Sequence, residues 1–358
     1  MPEQPQVTLD DVAQAAGVSP ATASRVLNGA TQVRADLRDR VLEAAGRLAY
    51  TPNPHARALA RASSPAVGVI CHDIGDPYFA GIARGVMRTA AEEGLQVILG
   101  STFREREREV AYVSMMRGQR VRAILLIGSG FEDRPWQKAM QGELAPYIAA
   151  GGRVAAVSRH QGLRVDTVLP ENREGAAALA GALLALGHRD FAVLTGPASL
   201  TTVVDRLGGF KNALAEAGVT LAPDQIVEGA FTRDGGYEAA TELLRRGLRA
   251  TCVFALTDVM AVGALTALRE HGLAVPADVS LAGFDDIPIV VDLTPPLTTF
   301  RLPLEDLGRR VMAMALQPAR ARSRTDRVLG EVVLRESTAP PARPAGWSPA
   351  PPAERISQ

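Results

Sequence analysis

Apolar and polar positions in the first thirty residues follow the period of short helices rather than strands. The first predicted helix has an apolar inner face that consists of Val12, Ala15 and Ala16. Thr8 and Asp11 stand three residues apart at its start, the spacing at which each side chain can accept a hydrogen bond from the other's backbone N–H. Gly17 follows the last apolar position and ends the helix.

A second helix is predicted to begin only two residues after the first one ends. Ser19 is a suitable cap, and Pro20 occupies the first helical position, where a missing N–H costs nothing. The inward positions of this helix are Ala23, Val26 and Leu27. Two short helices joined by a glycine-centred turn form a helix-turn-helix, whose DNA-binding version places its second helix in the major groove. The same spacing also fits an ordinary small helical bundle.

The outward face of the second helix suits close approach to base edges. It carries small residues and Arg25, whose guanidinium can donate two hydrogen bonds to a guanine. Residues 1–62 contain seven arginines and six acids, a net charge of 7 − 6 = +1. Non-specific electrostatic attraction to DNA is therefore weak, and two copies of the domain are needed to give sufficient affinity. The residues that we expect at the DNA here are Thr8, Ser19, Pro20, Ala21, Thr22, Ser24, Arg25 and Asn28.

A third helix is predicted over residues 35–48, and a proline-rich segment, YTPNPHARALA at 50–60, follows it. The two prolines end the preceding helix, and Asn53 with Pro54 provides a cap and a first residue for one more short helix. A helix of about eight residues is not stable alone in water. We therefore expect it to form only when a partner holds it. The alternative interpretation is a plain linker.

From residue 66 onward, short apolar runs alternate with amphipathic helices. The predicted strands are residues 66–71, 95–100, 122–128 and 153–158 in a first series, and 166–170, 191–196, 225–230, 251–256 and 279–284 in a second. This βαβ alternation is typical of parallel sheets covered by helices on both faces. The two series predict two similar α/β subdomains.

Composition narrows the class of protein further. The 358 residues are 47% hydrophobic, which suffices for a small helical domain and two subdomains of about 130 residues each. We find neither a secretion signal nor an apolar run of about 18 residues, so we expect a cytoplasmic protein without a membrane span. Cys71 and Cys252 lie in apolar, strand-like runs, which indicates buried free thiols. The five histidines lack metal-ligand spacing, and no metal or cofactor is predicted.

Several segments of the chain resemble the LacI/GalR family of bacterial transcription regulators. They are VTLDDVAQAAGVSPATASRVLNG (7–29), YTPNPHARALA (50–60), GHRDFAVLTGP (187–197), TDVMAVGAL (257–265), SLAGFDDI (280–287) and VVLRESTA (332–339). The resemblance implies an α/β protein with an all-α headpiece and a two-lobed, periplasmic-binding-protein-like domain with parallel sheets. The implied domains are a helix-turn-helix headpiece (1–52), a hinge helix (53–62), an effector-binding and dimerisation domain (63–338) and a disordered tail (339–358).

The resemblance also implies how the hinge and the two lobes are arranged. Leu59 would insert between base pairs from the minor groove and kink the site, beside Asn53 and Arg57 at the DNA. The family's chain crosses three times between its subdomains, which we place near Val165, near Thr294 and near residues 320–327. Residues 297–316 would then return to the first subdomain, and residues 328–335 would add a strand to the second.

Ligands of such folds bind at the carboxyl ends of the strands, in the cleft between the two halves. Aromatic rings, a fork-shaped arginine and a carboxylate at those ends are typical of a sugar site. The candidate effector-binding residues are Tyr78, Phe79, Arg159, Thr202, Arg206, Phe231, Thr257, Asp258 and Asp285. Each aromatic residue could instead belong to the core, and Asp258 could instead cap the helix that follows it.

Departures from the known branches of the family leave the effector open. The purine-binding branch has counterparts of Tyr78, Phe79, Thr202, Phe231 and Asp285. However, an arginine that reads the base there is Leu200 here, a stacking tryptophan is Arg159, and the sugar-binding branch often has asparagine at Thr257. We favour a sugar or sugar derivative, with Arg159 as a hint of an anionic one. A nucleobase or nucleoside corepressor is the alternative.

Two other classes of protein fit the sequence less well. A periplasmic solute-binding protein has similar lobes but needs an export signal and lacks a headpiece. An enzyme needs a nucleophile–base pair or a phosphate-binding loop. The segment Gly128-Ser129-Gly130 is too short for a phosphate-binding loop. The sequence therefore predicts a nucleoid-associated repressor that is not an enzyme. It would bind a pseudopalindromic operator in double-stranded DNA as a homodimer and leave it when a small-molecule effector binds.

Overall fold

The structure, a computed structural model, describes residues 7–28, 32–51, 65–318, 320 and 322–341. The chain divides into two compact units, residues 1–64 and 65–358. The hinge helix that we predict over residues 53–62, with Asn53, Arg57 and Leu59, lies outside the described residues. So does the predicted tail from residue 342 onward.

Three helices surround a small apolar core in the described part of the first unit. They are α1 (Leu9–Ala16), α2 (Pro20–Leu27) and α3 (Ala35–Arg47). Their buried residues are Val12, Ala13, Ala16, Ala23, Val26, Val41, Ala44 and Ala45. The predicted inner face of α1 is wrong at one position, since Ala13 is buried and Ala15 is exposed. The reason is that α1 packs against both α2 and α3, which turns Ala13 toward the core.

The turn between α1 and α2 has the predicted construction. Thr8 and Asp11 form a capping box, with the N–H of Thr8 donating to Oδ2 of Asp11 at 2.8 Å. Gly17 then adopts φ = 64°, a left-handed conformation that favours glycine. Nη2 of Arg40 on α3 donates to the carbonyl of Ala16 at 2.5 Å, and a Cβ on residue 17 would lie 2.5 Å from the same atom. The turn therefore requires glycine for its conformation and for the space that Arg40 occupies.

The described part of the second unit contains two parallel sheets and an antiparallel strand pair. The larger sheet has the order β11-β5-β4-β3-β1-β2. It consists of β1 (Ala66–Cys71), β2 (Gln96–Ser101), β3 (Ala123–Ile127), β4 (Arg153–Val157), β5 (Asp166–Pro170) and β11 (Thr325–Val328). The smaller sheet, of order β7-β6-β8-β9, consists of β6 (Phe191–Thr195), β7 (Ile226–Glu228), β8 (Cys252–Ala255) and β9 (Ser280–Ala282). The antiparallel pair is β10 (Thr299–Arg301) with β12 (Glu331–Val333).

Eight helices accompany these strands in the described part of this unit. They are α4 (Pro77–Glu92), α5 (Arg106–Gly118), α6 (Arg134–Ala149), α7 (Asn172–Ala185), α8 (Thr201–Glu216), α9 (Arg233–Arg245), α10 (Asp258–Glu270) and α11 (Leu304–Leu316). Strands β1, β3, β6 and β8 are buried at every residue, as uniformly apolar runs in helix-covered parallel sheets require. Cys71 and Cys252 are buried free thiols, as predicted. None of the described helices is both long and apolar enough to span a membrane.

The predicted crossings between the two subdomains are wrong in detail. Strand β5 pairs with β4 in the larger sheet, so the first crossing follows Pro170 rather than Val165. The bridge between Thr298 and Ala282 of β9 shows that residue 298 still belongs to the second subdomain. The chain therefore returns to the first subdomain after Thr294, just before α11, which packs on α4. Strand β11 pairs with β5 in the larger sheet, and β12 joins β10 instead of extending the smaller sheet. A short apolar run does not encode its partner strand, because parallel pairing depends on residues far away in the sequence.

Candidate functional site

The hydroxyl groups at the start of α2 are used to cap the helix. Oγ of Ser19 accepts from the N–H of Thr22 at 3.2 Å and lies 2.9 Å from the Thr22 hydroxyl. Thr8 is occupied in the same way, since its hydroxyl donates to Oδ2 of Asp11 at 2.7 Å. These predicted DNA-facing residues therefore first shape the two helix starts. A phosphate only accepts hydrogen bonds, so it could use the one hydroxyl proton that the Ser19–Thr22 pair does not share.

The exposed face of α2 presents one cation among small side chains. Pro20, Ala21 and Arg25 are exposed, and Ser24 and Asn28 are half-buried beside them. Nε of Arg25 donates to the carbonyl of Ala21 at 3.3 Å, which orients the guanidinium. Its two terminal nitrogens have no hydrogen bond to any described residue. An arginine fork on a surface of small residues can reach a base edge without steric hindrance.

A second candidate site lies where strand order reverses in both parallel sheets. In the larger sheet β1 lies between β3 and β2, and in the smaller sheet β6 lies between β8 and β7. Loops leaving such strands in opposite directions open a crevice at their carboxyl ends. A cavity at these ends encloses about 350 Å³ that no atom occupies, part of it open to solvent. Seven predicted effector residues line it: Tyr78, Phe79, Thr202, Arg206, Phe231, Thr257 and Asp285.

Arg206 and Asp285 form the polar centre of this cleft. Nη2 of Arg206 donates to Oδ1 of Asp285 at 2.6 Å, and both side chains are almost completely buried. Nε donates to Oδ1 of Asn172 at 2.9 Å and Nη1 to the carbonyl of Leu256 at 2.6 Å. The guanidinium also stacks 3.9 Å from the ring centre of Phe284. Arg206 is thus fixed from several segments, and it lines the cavity.

The carboxylate of Asp285 is presented on a strained backbone. Its φ of 118° lies in a region that residues other than glycine rarely adopt, and such backbone strain is often found at ligand-binding sites. The backbone N–H of Asp285 donates to the carbonyl of Phe300 at 2.9 Å, which holds the loop after β9 in place. Burial raises the pKa of Asp285, and the positive charge and hydrogen bond of Arg206 oppose that rise.

Aromatic rings form the walls of the cleft. Asp76 caps α4, since its Oδ1 accepts from the N–H of Tyr78 at 2.9 Å, and this cap places Tyr78 and Phe79 in the first helical turn. The two rings meet edge to face, with centres 5.0 Å apart. Phe231 lies against Gly196, where a Cβ would come within 2.3 Å of the ring. These rings offer apolar faces to the C–H groups of a ligand.

His72 contributes a neutral side chain to the larger sheet's side of the cleft. Its Nε2 lies 3.0 Å from the carbonyl of Ser129, which can only accept, so Nε2 carries the proton. Nδ1 is then left to accept from the hydroxyl of Thr102 at 3.4 Å. Burial, with a smaller contribution from Arg104, lowers the pKa of His72 to about 3. His72 therefore adds no charge to the cleft at neutral pH.

Two predicted effector residues do not line the cavity. Arg159 points instead to Asp205 and Glu132, at 3.2 and 3.4 Å, so both of its acidic neighbours neutralise it outside the cavity. Asp258 is completely buried, and its oxygens accept from the hydroxyl of Thr299 at 2.7 Å and from a backbone N–H at 2.9 Å. It does not cap α10 either, since that role belongs to Thr257, whose hydroxyl accepts from the N–H of Met260. Asp258 therefore supports the fold beneath the site.

The sequence-based assignment missed five residues that line the cavity. They are His72, Asp76, Arg104, Gly128 and Ser129. Asp76 could have been found from the cap-and-proline pair Asp76-Pro77 after the first strand. Arg104 carries no such signal, because it lies in an irregular loop two residues before α5. Across the described residues, no group of three or more His, Cys, Asp or Glu side chains is arranged to hold a metal ion.

A three-helix unit with a helix-turn-helix and a two-lobed α/β unit with a polar cleft together define a ligand-responsive DNA-binding regulator. Residues 8–53 match the bacterial regulatory proteins of the lacI family, and residues 180–338 match the periplasmic binding protein-like domain. The chain is 35% identical over 313 residues to the HTH-type transcriptional regulator GalS of Salmonella typhimurium, covering 87% of this chain and 90% of that protein. The chain belongs to the lacI family of transcriptional regulators.

Solved structures agree with this assignment. The lac repressor dimer bound to operator and the anti-inducer ONPF superimposes with a TM-score of 0.79 at 27% identity, covering 93% of this chain and 99% of that one. A complex of the transcriptional regulator CelR with cellobiose gives a TM-score of 0.67 at 31% identity, covering 93% of this chain and 100% of that one. The predicted fold, an N-terminal helical unit followed by two lobes with parallel sheets, is thereby confirmed.

Proposed function

We propose that this protein is a repressor that binds a pseudopalindromic operator as a homodimer and leaves it when a small sugar or sugar derivative occupies the cleft. The observation that carries the proposal is the buried Arg206–Asp285 pair between aromatic walls, in the same chain as a helix-turn-helix. The similar lac repressor is a dimer on its operator, and the similar CelR binds cellobiose. The role is regulatory rather than catalytic, and its place is the cytoplasm, on DNA.

The chemistry of the cleft favours a polyhydroxylated ligand. The second carboxylate oxygen of Asp285 accepts from hydroxyls, while the remaining N–H groups of Arg206 donate to them. Thr202 and Thr257 add hydroxyl groups at the same wall. The rings can stack against the C–H face of a sugar.

An exposed apolar face on α4 supports the proposal of a homodimer. Met87 is 47% exposed and Ile74, just before the helix, is 38% exposed. They border a shallow depression that is mostly apolar, and its other lining residues are Ala80, Ala83, Arg84, Arg88 and Ala91. A second copy of this chain would cover such a patch by two-fold symmetry. Two headpieces on one operator would also compensate for the low net charge of each.

For the DNA contacts we propose the exposed face of α2, with Arg25 as the base-reading residue. Thr8, Ser19 and Thr22 would contact phosphates from the helix starts, where backbone N–H groups favour anions. The proline-rich segment with Asn53, Arg57 and Leu59 would supply the minor-groove contact.

A screen of ligands followed by DNA titration tests the proposal. Neutral sugars, sugar derivatives and nucleosides are compared by the shift that each gives in the unfolding temperature of the full chain. We expect a sugar or sugar derivative to stabilise the wild type and to weaken its binding to operator DNA. A nucleoside that stabilises the protein and strengthens DNA binding would instead identify a corepressor-dependent regulator.

A further inference from the structure

The charged side chains of the cleft are unequally paired. Asp76, Arg104, Arg206 and Asp285 line the cavity, and Arg206 and Asp285 neutralise each other at 2.6 Å. Arg104 takes part in none of the ion pairs found among the described residues, and its Nε is buried without a hydrogen-bond partner. A buried donor of this kind is costly unless a hydrogen-bond partner, such as a bound ligand or an ordered water, satisfies it.

Arg104 is held in place by its backbone and by a ring from the other lobe. Its φ of 62° is left-handed, as is that of Phe103 before it, and its N–H donates to the hydroxyl of Thr102 at 3.3 Å. Its Cζ lies 5.7 Å from the ring centre of Phe231, which belongs to the loop after β7. The guanidinium therefore spans the cleft between the larger and the smaller sheet and is positioned before any ligand arrives.

The neighbours of Arg104 favour a single negative charge on the ligand. Burial lowers the pKa of Arg104, and the carboxylates of Asp76 and Asp73 act in the opposite direction. Neither carboxylate forms an ion pair with Arg104 among the described residues, yet both act on its charge, and the same negative charges would repel an additional anion. A flat carboxylate matches the arginine fork with two hydrogen bonds and carries one charge. A phosphate dianion would meet Asp76 and Asp285 in the same cavity.

We propose that the effector is a sugar acid, whose single carboxylate pairs with Arg104 while its hydroxyls bind Arg206 and Asp285. This inference rests on the proposed function of the cleft as the effector site. Arg104 thus takes the place of Arg159 as the residue that selects an anion, because Glu132 and Asp205 already neutralise the charge of Arg159.

Binding of matched ligands to the full chain tests this assignment. Galacturonate, glucuronate and gluconate are compared with galactose, glucose and glucose 6-phosphate by thermal shift and titration calorimetry. We expect at least one acid to bind about ten- to hundredfold more tightly than its neutral parent, as a charge-assisted bond contributes. Arg104→Gln should abolish this preference, and Arg104→Lys, which keeps the charge without the fork, should restore part of it.

Arg108→Gln is the matched control. Arg108 lies on α5, four residues further along, and its Cζ is 5.4 Å from the ring centre of Phe103. It pairs with Glu105 at the surface and does not line the cavity. This variant should retain the full preference for the acid.

Several results would overturn the assignment of Arg104. They are failure of every acid to bind, equal binding of acids and neutral sugars, tighter binding of the phosphate, or an unchanged preference in a folded Arg104→Gln variant. A neutral sugar that releases the protein from DNA would overturn the assignment and leave the proposed function intact. Absence of operator binding by the ligand-free protein would count against the proposed function alone.

Discussion

Replacing Asp285 by alanine would leave the guanidinium of Arg206 buried without its counter-ion. The two side chains are 2% and 4% exposed, and their atoms meet at 2.6 Å. Asn172 and the carbonyl of Leu256 hold the guanidinium, so it cannot turn toward water. Breaking a buried pair by removing one partner costs about 3–5 kcal/mol. This is a large fraction of the roughly 5–15 kcal/mol by which a domain is stable.

Urea unfolding of the full chain, followed by circular dichroism, measures this cost in the transition of the larger unit. The matched variants are Asp285→Ala, Arg206→Met and the double variant. We expect the double variant to be more stable than the sum of the two single losses allows, because no unpaired charge remains. A loss of less than about 1 kcal/mol for Asp285→Ala, or additive losses in the double variant, would refute this account of the pair. Asp285→Asn should be milder, since its amide oxygen can still accept from Arg206.

Three further predictions concern other parts of the molecule. Arg25→Ala should cost about 1–3 kcal/mol of operator affinity and relax base preference at one position in each half-site, as measured by fluorescence anisotropy with operator variants. Burial raises the pKa of Glu109 from 4.5 to about 8. The stability that its protonated form contributes is therefore fully present below about pH 4.5 and is lost as the pH rises through 8. In urea unfolding we expect the free energy of unfolding to fall by about 3–5 kcal/mol over this range. Glu109→Gln should abolish this dependence of stability on pH. Gly17→Ala should destabilise the first unit by about 1 kcal/mol or more in thermal unfolding, since it strains φ and displaces Arg40.

Each of these predictions has a result that contradicts it. Equal loss of affinity for every DNA sequence would show that Arg25 contacts only phosphate. An unchanged pH slope in Glu109→Gln would assign the slope to another group, and the nearby exposed Glu107→Gln serves as its control. Gly46→Ala, in α3 with open space around it, is the control for Gly17→Ala. The two alanine variants should differ clearly in unfolding temperature.

The local elements of the fold could be predicted from the sequence, and the pairing between distant segments could not. The capping box at Thr8 and Asp11 depends only on residues three positions apart, and it is found as predicted. The apolar pattern predicts the bounds of strand β5, Asp166–Pro170, correctly but places the strand in the wrong subdomain. Its partner strand is set by hydrogen bonds to Ala155–Val157, which no local pattern shows.

The same distinction applies to the residues of the cleft. Arg206 and Asp285 follow strands whose carboxyl ends could be recognised, so the sequence placed them at the cleft correctly. Arg159 was misjudged because its partners, Glu132 and Asp205, come from segments far away in the chain. Arg104 was missed because its value as a ligand-binding residue arises from its loop conformation and from Phe231 across the cleft. Charge alone did not distinguish the two arginines, since pairing decides which of them is available.

Titration of operator DNA with the protein, with and without its effector, tests the central claim that occupancy of the cleft controls DNA binding. The wild type should bind the operator specifically and lose about five- to 150-fold in affinity when the effector is saturating. Asp285→Asn should bind DNA equally well and fail to respond, while Glu132→Gln, a carboxylate outside the cavity, should respond like the wild type. Unchanged or tighter DNA binding by the wild type with effector, or a normal response by Asp285→Asn, would contradict the account.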